Sequence, residues 1–254
     1  MKREERRQAI IDLLIADRAV DLDDLAGRFA VSKMTVHRDL DDLEQAGLLR
    51  KIRGGATIEA GTRFESDFRI RALQDAPAKA RMVQAARALI EPGMTVMIND
   101  GSTAALLGSG IADLAPLTVI THNAAAIAAL KDQPRVTLIA PGGQFDPRYN
   151  GFFGLVTEES LSRLRADLAF ISAPAIDGLT AFHMDETVLR AKRAMMDASA
   201  RSCLLVHHRC FGRRALHAMA DLGEFDALIT DAPPSPQTAD ALARAGHPLT
   251  IASE

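Results

Sequence analysis

Seven short apolar runs follow one another between residue 94 and residue 252, and they alternate with stretches of helical character. A continuous apolar run of strand length is typical of a strand that is buried on both faces. Such strands occur in parallel sheets that helices cover on both sides. The pattern therefore predicts a mostly parallel α/β three-layer domain with the strands MTVMI, LTVIT, RVTLIA, ADLAFIS, SCLLV, FDALIT and PLTIA.

The first 58 residues have a different pattern, which predicts three helices and a hairpin. Apolar residues recur at helical spacing over residues 3–16, and again after Asp21, which is a candidate N-cap. A third helix begins after Ser32 and ends at Gly47. Only a few residues separate the second and third helices, as in a helix-turn-helix, and a hairpin turning at Gly54-Gly55 forms a wing.

The length of 254 residues exceeds the roughly 100 to 200 residues of a typical single domain. Residues 59–65, EAGTRFE, are short and polar and contain a glycine, which is typical of a hinge. We therefore expect a winged helix-turn-helix domain over residues 1–58, a linker over 59–65 and the α/β domain over 66–254.

Cysteine content and hydropathy exclude several classes of protein. Cys203 and Cys210 are too few for a disulfide framework, and the N-terminal sequence MKREERRQAIIDLL lacks the features of a signal peptide. No apolar run approaches the eighteen or so residues that a membrane span needs. We expect a cytoplasmic protein with no membrane function.

Positive charge is concentrated at the start of the third helix and in the wing. The first 58 residues contain eleven Lys plus Arg and eleven Asp plus Glu, so only the placement of the charges is informative. A helix N-terminus in the major groove presents side chains to base edges, and wing cations can reach phosphates. Each cluster alone would equally suit a solvated surface, but the two together indicate DNA binding through Ser32, Lys33, Thr35, His37, Arg38, Arg50, Lys51 and Arg53. We expect Asp39 and Glu44 to be structural partners of neighbouring cations.

Residues 31–56, VSKMTVHRDLDDLEQAGLLRKIRGGA, resemble the signature helix-turn-helix of the DeoR family of bacterial transcriptional regulators. The family pattern is VS-x-x-T-[IV]-RRDL-x-x-LE-x-x-G-x-L-x-R-x-x-GGA. His37 stands where the family usually has the first arginine of RRDL, and an imidazole lacks the forked guanidinium that grips guanine or phosphate. The resemblance therefore implies DNA binding, but it says less about which operator sequence is recognised.

The resemblance continues along the second domain in family order, through FRIRALQDAPAKARMV, NDGST, THN, PGG, NGFFG and FISAPAIDGLTAF, although Asp75 replaces the usual asparagine. It implies a domain similar to ribose phosphate isomerases and acyl-CoA transferases, which senses a small phosphorylated sugar or related metabolite and mediates oligomerisation.

The loops that follow the predicted strands are the expected effector site. The carboxyl ends of parallel strands open at one edge of the sheet, where helix N-termini present free N–H groups. Each glycine-rich turn alone is more often only a turn, and Lys192 could be a surface lysine. Taken together, the motifs predict an effector site formed by Asp100, Gly101, Ser102, Thr103, Thr121, Asn123, Gly142, Gly143, Asp177, Lys192, His207 and Cys210.

The segment LLVHHRCFGR at 204–213 departs from the family's D-x-S-K-F-G-R pattern, because His207 takes the aspartate position and Cys210 the lysine position. Either another cation (Lys192, Arg209 or Arg213) binds the phosphate, or the effector is not a typical sugar phosphate. His207 and His208 are possible metal ligands. Neighbours on a strand point to opposite faces, so we expect no metal site here and no redox pair between the cysteines.

These observations predict a DNA-binding transcriptional regulator, a repressor of a carbohydrate or polyol catabolic operon, controlled by the metabolite. Its expected partners are double-stranded operator DNA and further copies of the chain, as a homodimer or homotetramer. The alternative is a sugar-phosphate isomerase or transferase with an appended DNA-binding domain and Asp100 or Glu186 as base. The first sixty residues supply no substrate chemistry, so we expect no enzyme, no catalytic residues and no cofactor.

Overall fold

The computed structural model describes residues 2–59, 61, 64, 67–247 and 249–252. The chain forms two compact units, Met1–Gln74 and Asp75–Glu254. The second unit begins nine residues beyond residue 66, where the sequence suggests that the second domain begins. Residues 60, 62, 63 and 65 of the proposed linker, and residue 66 after it, lie outside the described residues, so that segment stays a prediction.

The first unit is a winged helix-turn-helix. Ile10, Leu25, Val36 and Leu40 are at most 2% exposed in its core, so the apolar stripes of the three helices meet as expected. The elements of this unit are helices α1 (Arg3–Asp17), α2 (Leu22–Phe29), α3 (Lys33–Gln45) and α4 (Phe68–Leu73), and strands β1 (Ala19–Asp21), β2 (Arg50–Ile52) and β3 (Gly55–Thr57).

Local hydrogen bonds fix where α2 and α3 begin. The Asp21 carboxylate accepts from the backbone N–H groups of Asp23 and Asp24, and the Ser32 hydroxyl accepts from the backbone N–H of Thr35. Strand β1 pairs with β3, so the hairpin becomes part of a three-stranded sheet with β3 in the middle. A three-residue strand has no periodicity of its own, which is why the sequence pattern did not predict β1.

The second unit is built on one parallel sheet, here called the main sheet. Within the described residues its seven strands run in the order β15-β14-β12-β9-β4-β5-β6, and every neighbouring pair is parallel. The predicted mostly parallel α/β fold is confirmed, because the strands fall in the seven apolar runs. They are β4 (Thr95–Ile98), β5 (Leu117–Thr121), β6 (Val136–Ile139), β9 (Ala166–Ser172), β12 (Ser199–Leu205), β14 (Ala227–Thr230) and β15 (Leu249–Ile251).

Both faces of the main sheet are covered, which explains why its strands are continuously apolar. In β4, Val96 and Ile98 face one core and Met97 faces the other. The helices of this unit are α5 (Ala76–Arg87), α6 (Ser102–Ser109), α7 (Ala124–Leu130), α8 (Leu155–Ser162), α9 (Glu186–Asp197) and α10 (Pro236–Arg244). Short 3-10 turns lie at Ala112–Leu114, His208–Cys210 and Leu222–Glu224.

Two smaller strand groups were not predicted. A hairpin joins β7 (Gln144–Asp146) and β8 (Gly151–Phe153). An antiparallel sheet joins β10 (Ala175–Asp177), β11 (Thr180–His183) and β13 (His217–Asp221). Each strand is short, and β13 is recruited from a distant part of the chain, so no local pattern marks this sheet.

The sequence pattern between the hinge and the first apolar run predicts one continuous helix over roughly residues 67–90, and this prediction is wrong. The chain instead forms α4 and α5, with Gln74 extended and Asp75 in the left-handed region at φ 50°. A proline at position 77 has no N–H to donate, and its ring would clash with the carbonyl of residue 73 in a continuous helix. Within the part of the chain that the structure describes, none of the helices combines the length and hydropathy that a membrane crossing needs.

Candidate functional site

The N-terminal turn of α3 presents polar side chains to solvent. Lys33, His37 and Arg38 are exposed, and Met34 is 61% exposed beside them. Ser32 is used differently: its Oγ accepts from the Thr35 N–H at 3.2 Å and lies 2.9 Å from Thr35 Oγ1. Ser32 and Thr35 therefore fix the start of α3, while the longer side chains extend from it.

The wing cations differ in their surroundings. Arg53 is exposed at the hairpin turn, and Arg50 is half-buried in β2. Lys51 Nζ pairs with Asp41 of α3, as Lys33 Nζ does with Asp23 of α2 at 2.6 Å. The two lysines must exchange a carboxylate for a phosphate if they bind DNA.

Carboxylates of α3 hold the domain together. Arg6 Nε lies 2.5 Å from Asp39 Oδ2, and both residues are buried. Arg3 and Arg7 of α1 pair with Asp42 on the same side of α3. Glu44 Oε1 accepts the backbone N–H of Lys51 at 2.7 Å, which ties α3 to the wing. The prediction that Asp39 is the structural partner of a cation is confirmed, whereas Glu44 is structural through a backbone N–H and not through the charge of a cation.

A second set of polar groups lies buried beyond the ends of β4 and β5, and we call Asp100, His122 and Lys192 the buried charge cluster. Each is at most 1% exposed, so the alternative that Lys192 is a surface lysine is wrong. Lys192 Nζ lies 3.5 Å from Asp100 Oδ1 and donates to the Ser172 carbonyl at 2.9 Å. His122 Nε2 lies 3.7 Å from the same carboxylate oxygen.

The electrostatics of this cluster keep Asp100 ionised. Burial by itself raises the pKa of a carboxyl group, because the charged form loses its hydration. The nearby charge of Lys192 and the contact with His122 outweigh that effect and hold the pKa of Asp100 well below its ordinary value. Asp100 is therefore a carboxylate that can accept hydrogen bonds.

Within the described residues, several buried atoms of the cluster lack a hydrogen-bond partner. These atoms are the two ring nitrogens of His122 and the Oδ1 oxygen of Asp100. Buried polar groups are nearly always paired in folded proteins, so such a group calls for an explanation. Sequence reasoning missed His122, although it lies between Thr121 and Asn123 in the THN run.

Thr121 and Asn123 position the loops around the cluster. Thr121 Oγ1 donates to the Ile98 carbonyl at 2.7 Å. Asn123 Nδ2 donates to the Asn99 carbonyl at 3.0 Å, and its Oδ1 accepts from the first N–H groups of α7. Their side chains therefore hold the ends of β4 and β5 together, and they have little capacity left for a ligand.

The predicted turn glycines differ in whether the surrounding structure requires a residue without a Cβ atom. Gly143 has φ 148°, and a Cβ there would lie 2.2 Å from Thr157 Oγ1 and 2.6 Å from the Phe153 carbonyl oxygen. The chain itself thus requires glycine at 143, whereas a Cβ on Gly142 would meet nothing within 4 Å. Gly101 precedes α6, and Ser102 and Thr103 are half-buried in the first turn of that helix.

Three predicted effector residues make their contacts elsewhere. Asp177, the last residue of β10, pairs with Arg214 of the loop before β13. His207 lies between two carboxylates, with Nε2 3.2 Å from Asp231 Oδ2 and 3.4 Å from Asp75 Oδ2. Cys210 is half-buried in the 3-10 turn that follows. The structure thus groups Asp100 with Lys192 but gives His207 and Asp177 other partners.

Both domains match known protein domains. Residues 6–61 match the DeoR-like helix-turn-helix domain, and residues 74–232 match the DeoR C-terminal sensor domain. The chain belongs to the DeoR family.

Curated members of the DeoR family align with nearly the whole chain. The glycerol-3-phosphate regulon repressor of Escherichia coli (strain K12) is 28% identical over 92% of this chain and 93% of its own length. The L-fucose operon activator of Haemophilus influenzae is 30% identical over 82% and 84% of the two chains. Among solved structures, a D-ribose-5-phosphate isomerase in complex with phospho-erythronic acid covers 54% of each chain at 14% identity with a TM-score of 0.40.

Two departures from the DeoR family pattern, Asp75 and His207, are in contact with each other. His208 joins them, because its Nδ1 lies 2.7 Å from Asp231 Oδ2 and its ring centroid lies 4.5 Å from that of His207. The expectation that His207 and His208 point to opposite faces of a strand was wrong, since β12 ends at Leu205. Burial lowers the pKa of His207 although Asp231 and Asp75 oppose that shift.

Proposed function

We propose that this DeoR-family protein is a cytoplasmic transcriptional repressor of a carbohydrate or polyol catabolic operon. It binds double-stranded operator DNA through α3 and the wing, and a small phosphorylated sugar or related metabolite bound at the buried charge cluster changes its affinity for DNA. The observation that carries the proposal is the pairing of two features in one chain: an exposed, capped recognition helix and a sheet edge with unsatisfied buried polar groups.

The DNA side of the proposal assigns two kinds of contact. Lys33, His37 and Arg38 extend from the first turns of α3 and would meet base edges in the major groove. Arg53 and Lys51 in the wing would meet phosphates. The buried Arg6–Asp39 pair supports the role assigned to α3, because it fixes α3 against α1 without using the exposed side chains.

For the effector, we assign one set of polar groups to the hydroxyls of a polyol and another set to its phosphate. The Asp100 carboxylate accepts hydrogen bonds from sugar hydroxyls, and His122 can donate or accept one. The first turn of α6 offers backbone N–H groups together with the hydroxyls of Ser102 and Thr103, a suitable place for a phosphate. A phosphorylated polyol as effector agrees with the name of one relative, the glycerol-3-phosphate regulon repressor.

The enzyme alternative fits the geometry less well. A general base works best with a pKa near the operating pH, whereas the pKa of Asp100 is held low by Lys192. Glu186 is exposed at the start of α9 and pairs with Arg190. Neither carboxylate is therefore placed or tuned to abstract a substrate proton.

We further propose that the protein acts as a homodimer or homotetramer, because a palindromic operator is read by a symmetric pair of recognition helices. Binding of the metabolite can change operator affinity only if the metabolite binds the DNA-competent and DNA-incompetent forms with different affinities.

A thermal-shift screen of the full chain tests the effector assignment. Matched phosphorylated and unphosphorylated sugars and polyols are compared, since a ligand at 100 times its Kd adds about 2.7 kcal/mol to the free energy of unfolding. We expect stabilisation by phosphorylated members, and loss of that stabilisation in Ser102→Ala/Thr103→Val. Stabilisation by unphosphorylated members alone would overturn the sugar-phosphate assignment.

A gel-retardation assay with DNA from upstream of the gene that encodes this protein tests the DNA assignment. Arg38→Ala should weaken retardation, and Arg201→Ala, an exposed arginine of the second unit, should leave it unchanged. Equal retardation by wild type and by a chain lacking residues 1–58 would refute the proposed function.

A further inference from the structure

Four side chains that can bind metal ions converge beyond the ends of β12 and β14. His207 and His208 follow β12, Asp231 follows β14, and Asp75 precedes α5. Asp231 Oδ2 lies 3.2 Å from His207 Nε2 and 2.7 Å from His208 Nδ1, and Asp75 Oδ2 lies 3.4 Å from His207 Nε2. We call these residues the His-Asp cluster, and all four belong to the second unit.

We propose that the His-Asp cluster is a binding site for a divalent transition-metal ion, with Zn²⁺ as the best match. The site shares no residue with the buried charge cluster to which the effector is assigned, so it goes beyond the proposed function.

The spacing of the donor atoms fits tetrahedral coordination. Ligand atoms about 2.0 to 2.1 Å from a zinc ion are about 3.3 Å from one another in a tetrahedral arrangement. The distances from His207 Nε2 to the two carboxylates, 3.2 and 3.4 Å, match that value. One donor atom from each of His207, His208 and Asp231 lies within 4.8 Å of the others. Asp231 Oδ2 and His208 Nδ1, which are 2.7 Å apart, would have to separate, and the Asp75 carboxylate, which lies outside that group of three, would have to move closer to the other donors.

The donor types favour zinc and its neighbours over Mg²⁺ and Ca²⁺. Imidazole nitrogens suit Zn²⁺, Co²⁺ and Ni²⁺, whereas the hard cations prefer oxygen ligands alone. Two carboxylates also supply the two negative charges that balance a divalent ion in a partly buried position. Asp231 is 6% exposed, while the side chains of Asp75 and His208 are 24% and 35% exposed and leave a path for entry.

The backbone around the cluster holds the carboxylates in place. Asp231 Oδ1 accepts the His208 N–H at 2.7 Å, which leaves Oδ2 directed at the two rings. Asp75 is the N-cap residue of α5, yet its side chain makes no cap hydrogen bond. Its carboxylate instead reaches His207. Fixed outer contacts of this kind orient metal ligands in known sites.

Loading the site requires a local change at His207. Its Nδ1 accepts the Arg209 N–H at 3.2 Å, so the proton of the neutral ring is on Nε2, between the two carboxylates. A metal ion at Nε2 moves that proton to Nδ1, and the Arg209 N–H must then turn away. Metal binding should therefore rearrange the 3-10 turn His208–Cys210 and speed amide hydrogen exchange at Arg209.

Calorimetric titration of the full chain tests the proposal, after treatment with a chelator and its removal, with Zn²⁺ and then Co²⁺ as the probe. We expect one ion per chain, and at least about a tenfold loss of affinity in His207→Gln and in Asp231→Asn. His247→Gln, a histidine of the same unit that lies against Gly223, is the matched control and should bind as wild type does. The visible spectrum of the cobalt form should show tetrahedral nitrogen and oxygen ligation.

Two results would overturn the proposal. One is the lack of an effect of the cluster on metal binding: either wild type binds neither ion, or His207→Gln and Asp231→Asn bind the ion as tightly as wild type does. The other is an intense thiolate-to-cobalt band, which would assign the ion to Cys210. If Asp231→Asn does not fold, the more exposed changes Asp75→Asn and His208→Gln serve instead, and Zn²⁺ should raise the Tm of wild type but not theirs.

Discussion

Lys192 Nζ lies 3.5 Å from Asp100 Oδ1, and both residues are about 1% exposed, so the second domain contains a buried ion pair at the edge of its sheet. Two charges removed from water are tolerated only when each compensates the other. Removing one partner leaves an uncompensated charge in a place that water does not reach.

We expect Lys192→Met to lower the free energy of unfolding of the second unit by about 3 to 5 kcal/mol, as for other buried pairs that lose one member. Lys192→Met/Asp100→Asn should cost less than the sum of the two single changes, because the pair acts as a unit. Urea unfolding of the four chains measures this coupling. Strictly additive losses would show that the two residues do not stabilise each other.

The lowered pKa of Asp100 predicts an acid dependence of stability. In the folded protein this carboxyl binds its proton more weakly than in the unfolded chain, whose Asp pKa is about 3.9. Its contribution is therefore fully present above about pH 4 and is lost as the pH falls. The difference in unfolding free energy between wild type and Asp100→Asn should be constant from about pH 5 to 7 and should shrink below about pH 4. A constant difference down to about pH 3 would contradict the assignment.

The two DNA clusters should respond differently to mutation. Arg38→Ala should change operator preference by about 1 to 3 kcal/mol, because it extends from α3 towards base edges. Lys51→Ala should weaken binding to all sequences and lower the salt slope by about one, as expected of a phosphate contact. Binding is measured on operator and unrelated DNA over a series of salt concentrations. Equal, salt-independent losses from both changes would contradict this division of roles.

Gly143→Ala should destabilise the second unit by about 1 to 3 kcal/mol, since the new Cβ would meet Thr157 Oγ1 and the Phe153 carbonyl at a φ that disfavours alanine. Gly142→Ala is the matched control, because a Cβ there meets nothing within 4 Å. We expect the control to stay within about 0.5 kcal/mol of wild type. Thermal unfolding compares the two, and similar Tm values would refute the steric argument.

The two cysteines should differ in reactivity. Burial, with Asp226 nearby, raises the pKa of Cys203 to about 12, so its reactive thiolate is scarce at neutral pH, and the residue is 0% exposed. Cys210 is half-buried in a turn and should react with iodoacetamide in the native state. Mass spectrometry should find one label in native wild type, none in native Cys210→Ser and two in the unfolded wild type. A label on native Cys203 would contradict its burial.

Local patterns in the sequence were sufficient for the framework of both domains. The run ADLAFIS predicts the central strand β9, because a continuously apolar segment of that length has to be buried on both faces. Asp21 and Ser32 predict the starts of α2 and α3, because a cap is a hydrogen bond between near neighbours in the chain. The antiparallel sheet β10-β11-β13 has no such local mark, since its pairing joins distant segments.

The sequence by itself determined the strands of the main sheet, the helix-turn-helix and the resemblance to the family. Apolar periodicity, helix caps, turn glycines and sequence motifs are properties of residues that are close together in the chain. Only the tertiary structure decided that Lys192 is a buried partner of Asp100, that the ring nitrogens of His122 have no hydrogen-bond partner among the described residues, and that Asp75 meets His207. These contacts depend on how the ends of β4, β5, β12 and β14 align in space. That alignment is set by the packing of the whole sheet and by side-chain directions, which no short segment encodes.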